Sequence, residues 1–170
     1  QRLAAAIQYA QRNNKKAKVH LEVETGMNRT GFEIKDLEAV AGLINQNKEY
    51  LEVVGCCTHF AGAETMANNF RVSQQIERFN NCLLKAEAIG IKATYKHSAC
   101  SAAVMNYPGT IGDMVRVGIM QYGFWPNDET FIRFTGDKLK TDKILKRLIT
   151  WKTRVMNIKT VKKGDYIGYG

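Results

Sequence analysis

The chain has 170 residues, 45% of them hydrophobic and 24% charged, with only 2 prolines. That balance supports a sizeable core and excludes a disordered or low-complexity protein. The formal charge of +9 would suit a nucleic-acid partner if it were spread over the surface, so its distribution decides what it means.

Residues 1–14 space Leu3, Ala6, Ile7 and Ala10 as one face of a helix, and residues 17–23 then alternate as a strand. Residues 33–47 carry Ile34, Leu37, Val40, Ala41 and Ile44 at helical period, and the nearly continuous apolar run 51–58 reads as a parallel strand covered on both faces. A long amphipathic helix follows over 70–89, stopped by Gly90, then a strand over 92–97. A short helix over 101–106 ends before Pro108, and 113–117 reads as a fourth strand.

Beyond Gly123 the helical signals stop. Trp125-Pro126-Asn127-Asp128 reads as a linker, and residues 148–161 alternate like antiparallel β before the turn Lys163-Gly164-Asp165. The basic excess sits here: residues 138–163 hold ten Lys or Arg against the single acid Asp142, and the rest of the chain nets to zero. Alternation of Lys152 and Arg154 with Trp151 and Val155 puts those cations on the wet face of a sheet, so no nucleic-acid partner is expected. No apolar run approaches the roughly 20 residues of a membrane span, and the N-terminus lacks a secretory pattern, so no membrane partner and a cytoplasmic location are expected. The four cysteines form neither a metal spacing nor a disulfide framework. They are read as reduced, with no metal site.

Alternating helices and strands with short connections predict parallel α/β architecture, and the absence of a G-x-G-x-x-G turn favours a barrel over a dinucleotide-binding sheet. Four strands amount to about half of a (β/α)8 TIM-type barrel, so the reading is the second half of such a barrel followed by the start of a mainly β domain. The boundaries are a partial barrel over 1–123, a linker over 124–145 and a β domain beginning at 146–170.

Barrel enzymes place reactive groups at the carboxyl ends of their strands. Here those ends are Glu24-Thr25-Gly26-Met27-Asn28-Arg29-Thr30-Gly31-Phe32, Thr58-His59-Phe60-Ala61, His97-Ser98-Ala99-Cys100-Ser101-Ala102-Ala103 and Val115-Arg116-Val117-Gly118-Ile119. Each has a plain alternative: a solvated Arg29, a hydrogen-bonded core His59, Ser101 as a helix cap, Arg116 paired with Asp113, and Tyr169 as an aromatic on a β edge.

Taken in order, these segments and Gly168-Tyr169-Gly170 resemble the motif series of the alanine racemases, pyridoxal 5'-phosphate enzymes, over residues 18–170. The resemblance implies interconversion of L- and D-alanine through a Schiff base of the cofactor with two-base proton exchange at Cα, supplying D-alanine for peptidoglycan. Racemases of serine, lysine or several amino acids, and a non-catalytic binding module, are the alternatives. It further implies Ser101, Gly118 and Ile119 on the cofactor phosphate, and Arg116 on the pyridine nitrogen. His59 would lie against the ring, and Arg29 would reach the phenolic oxygen and the substrate carboxylate. Tyr169 would be the acid/base acting in a partner subunit, hence a homodimer. Cys100, Asn28 and Thr30 depart from the family's usual residues. The Schiff-base lysine would precede Gln1, so this stretch alone is expected to be inactive.

Overall fold

The computed structural model describes residues 1–136 and 144–167. Helix α1 (Arg2–Arg12) buries Leu3, Ile7 and Ala10, the stripe its spacing predicts. Strand β1 (Ala17–Glu22) follows, and a 3-10 turn at Ile34–Asp36 leads into α2 (Leu37–Gln46). Then come β2 (Leu51–Cys57), α3 (Asn69–Ala88), β3 (Tyr95–His97), α4 (Ser101–Asn106) and α5 (Asp128–Thr135). The three strands form one sheet in the order β1-β2-β3, parallel throughout.

Helices cover one face of that sheet. Leu21 of β1 and Leu51 of β2 pack with Leu3, Ile7, Val40 and Ile91, and Val23 and Cys56 pack with Leu37, Phe79 and Cys82. Each large aliphatic side chain buried this way contributes about 2 kcal/mol. Because successive strand residues point to opposite faces, His20 and Glu22 stand on the other face, with Gly55, Cys57, Tyr95 and His97. The register makes two cross-strand rows there: His20, Gly55 and Tyr95, then Glu22, Cys57 and His97. A bulge between Val19 and His20 sets that register, since Val19 faces Val53 while His20 faces Gly55.

Four expectations change. The third strand is shorter than 92–97, and the fourth is not a strand: Arg116 makes a single parallel bridge with Cys100, its N–H donating to Ala99 O at 2.9 Å. Asp113 N–H also donates to Lys96 O at 2.9 Å, but the chain then diverges into a 3-10 turn, Ile119–Tyr122, and no continuous ladder forms. The expected linker holds helix α5, nucleated because Asn127 accepts the Thr130 N–H at 2.8 Å with Asp128 and Glu129 in the first turn. Among the described residues 148–161 carry no strand, since no segment lies alongside to complete a ladder; Leu148 N–H instead bonds Tyr122 O at 3.1 Å. No described helix is long and apolar enough to cross a membrane.

Candidate active site

The turn after β1 is built to hold its shape. Glu24 accepts backbone N–H bonds from Gly26 and Asn28. Burial pushes the Glu24 carboxyl up, but backbone hydrogen bonds outweigh it and hold the group below the usual carboxylate range. Gly31 has φ +115, and a Cβ there would sit 2.7 Å from Glu24 N and 2.8 Å from Val23 C, so glycine is required. Helix α3 adds two clamps, Arg71 donating to Gly26 O at 3.0 Å and Arg78 to Thr25 O at 3.2 Å. Below the turn, buried Thr25 and Thr58 hydroxyls meet at 2.7 Å, and Thr58 is 2.9 Å from Val23 O, tying the ends of β1 and β2 together. Arg29 is presented on this scaffold as an exposed cation, and Thr30 donates to Glu22 at 2.7 Å.

Arg116 is held from several sides. Nη2 donates to Thr58 O and, at 3.3 Å, to Ser98 O, while Nη1 donates to His97 Nδ1 and lies 3.4 Å from His97 O. Among the described residues its Nε–H has no acceptor. The alternative pairing with Asp113 is not formed, because that carboxylate takes the Lys96 N–H at 2.7 Å. A guanidinium with four directed contacts is a fixed, permanent charge with one donor to spare.

Two histidines sense it. His97 is only 6% exposed, and burial, then Arg116 and then His20, push its pKa down to about 4. Its Nε2 lies 2.8 Å from His20 Nδ1. His59, half-buried after β2, is held below the ordinary histidine value by burial first, then by Arg116 and Arg29, against Glu22 and Glu64. His59 is therefore a neutral imidazole between two cations. Its loop is fixed by buried Gln75 of α3, which accepts the Ala61 N–H at 2.9 Å and donates to Ala61 O at 3.0 Å.

Ser101 is not the cap of α4; Cys100 takes that position, and the buried Ser101 Oγ accepts the Gly118 N–H at 2.9 Å. Ser101, Gly118 and the neighbouring Ile119 are thus brought to one place beside Arg116. Tyr169 lies outside the described residues. Among the described residues no group of three or more His, Cys, Asp or Glu is placed to hold a metal.

Of the expected residues, Arg29, His59 and Arg116 share one electrostatic neighbourhood, and Ser101 joins Gly118. His97 and Thr58 stand in the strand-end motifs without an assigned role, and no motif singles out His20 or Gln75. His20 carried one usable signal: it is polar, in an alternating strand, on the face opposite Leu21.

Residues 1–126 match the family model described as "Alanine racemase, N-terminal domain". An alanine racemase of Leptospira interrogans is 32% identical over 155 residues, covering 90% of this chain and 39% of the relative. One from Carboxydothermus hydrogenoformans is 38% identical over 151 residues, covering 89% and 38%. The solved alanine racemase of Clostridium difficile 630 in complex with cycloserine superposes with TM-score 0.68 at 32% identity, over 75% of this chain and 35% of that one. The chain spans about 39% of the length of the curated relatives it matches. The sheet described above is accordingly part of a TIM-type barrel.

Proposed function

The chain belongs to the alanine racemase family, and from that premise we propose that the full-length protein is a cytoplasmic, homodimeric racemase interconverting L- and D-alanine with pyridoxal 5'-phosphate, supplying D-alanine for peptidoglycan. Pyridoxal 5'-phosphate, when bound, supplies an electron sink that acidifies the substrate Cα–H. The observation that carries this reading is the Nε–H of Arg116, which has no acceptor among the described residues while the guanidinium's other donors hold it beside the strand ends.

An N–H donor fits an unprotonated pyridine nitrogen, which accepts. Because a guanidinium does not titrate at physiological pH, it cannot take up a ring proton, and the nitrogen stays unprotonated. Transamination, which needs a stronger sink, is disfavoured. Ser101 and the Gly118 and Ile119 amides suit the phosphate: an anion can replace Ser101 as acceptor of the Gly118 N–H while the serine hydroxyl turns to donate.

Arg29, exposed on its glycine-bracketed turn, is free to meet the phenolic oxygen and the alanine carboxylate. Tyr169 of the partner subunit exchanges the proton on one face of Cα, and neutral His59 relays hydrogen bonding between Arg116 and that phenol. To exchange protons at neutral pH that phenol, whose free value is near 10, needs cationic neighbours. Incubating the full-length protein and cofactor with a panel of L-amino acids tests the reading. Alanine is expected to turn over fastest; faster turnover of serine or lysine, or none at all, overturns it.

A further inference from the structure

Arg116 and His97 do not end the hydrogen-bonded chain. His20 stands in the cross-strand row His20, Gly55, Tyr95, one row before His97. A Cβ built on Gly55 would overlap the His20 ring, so the glycine is the seat on which that ring lies. The β2 bulge is what brings Gly55, rather than Val54, opposite His20. Tyr95 closes the other side, its ring parallel to that of His20 within 5° at a centroid distance of 6.2 Å. From this seat His20 reaches diagonally to His97, ring centroids 5.0 Å apart.

The polarity of the chain follows from one fact: Arg116 can only donate. His97 Nδ1 must therefore accept, its proton sits on Nε2, and that proton points at His20 Nδ1, which must accept in turn. His20 then carries its own proton on Nε2. Reversing any link would set two donors against each other beside a fixed cation.

We infer that His20 is a positioning residue for Arg116: by accepting the His97 Nε2–H it anchors the imidazole that Arg116 leans on, ending a one-way chain Arg116 to His97 to His20 and so holding the guanidinium in place. The polarity of the chain is independent of the proposed function, but its consequence for turnover rests on that reading. His20 touches neither substrate nor cofactor; it acts through His97. Asn suits the same work, since its Oδ1 occupies the place of Nδ1 and accepts, whereas Leu cannot.

The test uses the full-length holoenzyme and its His20→Leu and His20→Asn variants, with histidine 15N NMR and racemisation kinetics. His97 is expected to show the Nε2–H tautomer in the wild type and in His20→Asn. In His20→Leu the His97 Nε2–H loses its acceptor, so its 1H and 15N resonances are expected to shift, with kcat falling about tenfold at near-constant KM. His20→Asn is expected to stay within about twofold of the wild type. An Nδ1–H tautomer or an imidazolium at His97 at neutral pH overturns the inference, and so does His20→Leu with unaltered His97 resonances and kcat. If the protein does not racemise any amino acid, the function proposed above fails, and the NMR result alone decides the chain.

Discussion

Arg116 and buried His97 share a hydrogen bond in which Arg116 can only be the donor, and that fixes His97 as a neutral acceptor inside the sheet face. Charge at His97 is opposed by burial and by the guanidinium together.

Acid should therefore destabilise the protein. His97 has its pKa pushed down to about 4, and His59 is also held below its ordinary value, while the unfolded chain protonates both near 6.5. The unfolded state binds more protons in between, so stability is full above about pH 6.5 and falls as the pH drops toward about 4. Thermal unfolding at a series of pH values should show a loss on the order of 3 kcal/mol across that window from His97. His97→Gln should flatten the slope; an unchanged slope in that variant would contradict the assignment.

Gly55→Ala should break the seat of His20. Its methyl overlaps the imidazole, and overpacking of this kind costs about 1–3 kcal/mol. A urea midpoint reduced in Gly55→Ala, together with a shifted His97 Nε2–H resonance, is the expected result.

Gln75→Leu keeps a side chain of similar volume in α3 but removes the amide and strands the Ala61 N–H and carbonyl. Leaving such groups unpaired costs about 1–3 kcal/mol each, so denaturant unfolding should report a loss of at least about 2 kcal/mol. The loop carrying His59 should loosen, seen as faster hydrogen exchange at 59–62.

Arg116→Lys removes the planar fork that meets Thr58 O, Ser98 O and His97 at once. Affinity of the full-length protein for pyridoxal 5'-phosphate should fall more than about tenfold, measured by cofactor titration.

Helices α1 to α3 and strands β1 and β2 were legible because their apolar periods are long and consistent, as at Leu3, Ile7 and Ala10. The strand expected at 113–117 failed for a reason no period encodes: a strand exists by its ladder, and there the backbone bonds of Asp113 and Arg116 leave a single bridge, at Arg116. Helix α5 was missed because its signal is a cap, Asn127 on Thr130, rather than a stripe. Motif residues named Arg29, His59, Ser101 and Arg116 in advance. Motif residues did not name His20 and Gln75, whose roles come from register and tertiary reach: His20 meets His97 only because a bulge and a glycine let it.

Racemisation in deuterium oxide tests the central claim most directly. Full-length protein, pyridoxal 5'-phosphate and L-alanine are followed by circular dichroism and by NMR of the Cα position. The account predicts that the optical signal decays to zero, as the equal energies of the two enantiomers require, with deuterium entering Cα and no pyruvate formed. A persistent L-alanine signal, or conversion to pyruvate in its place, would contradict it.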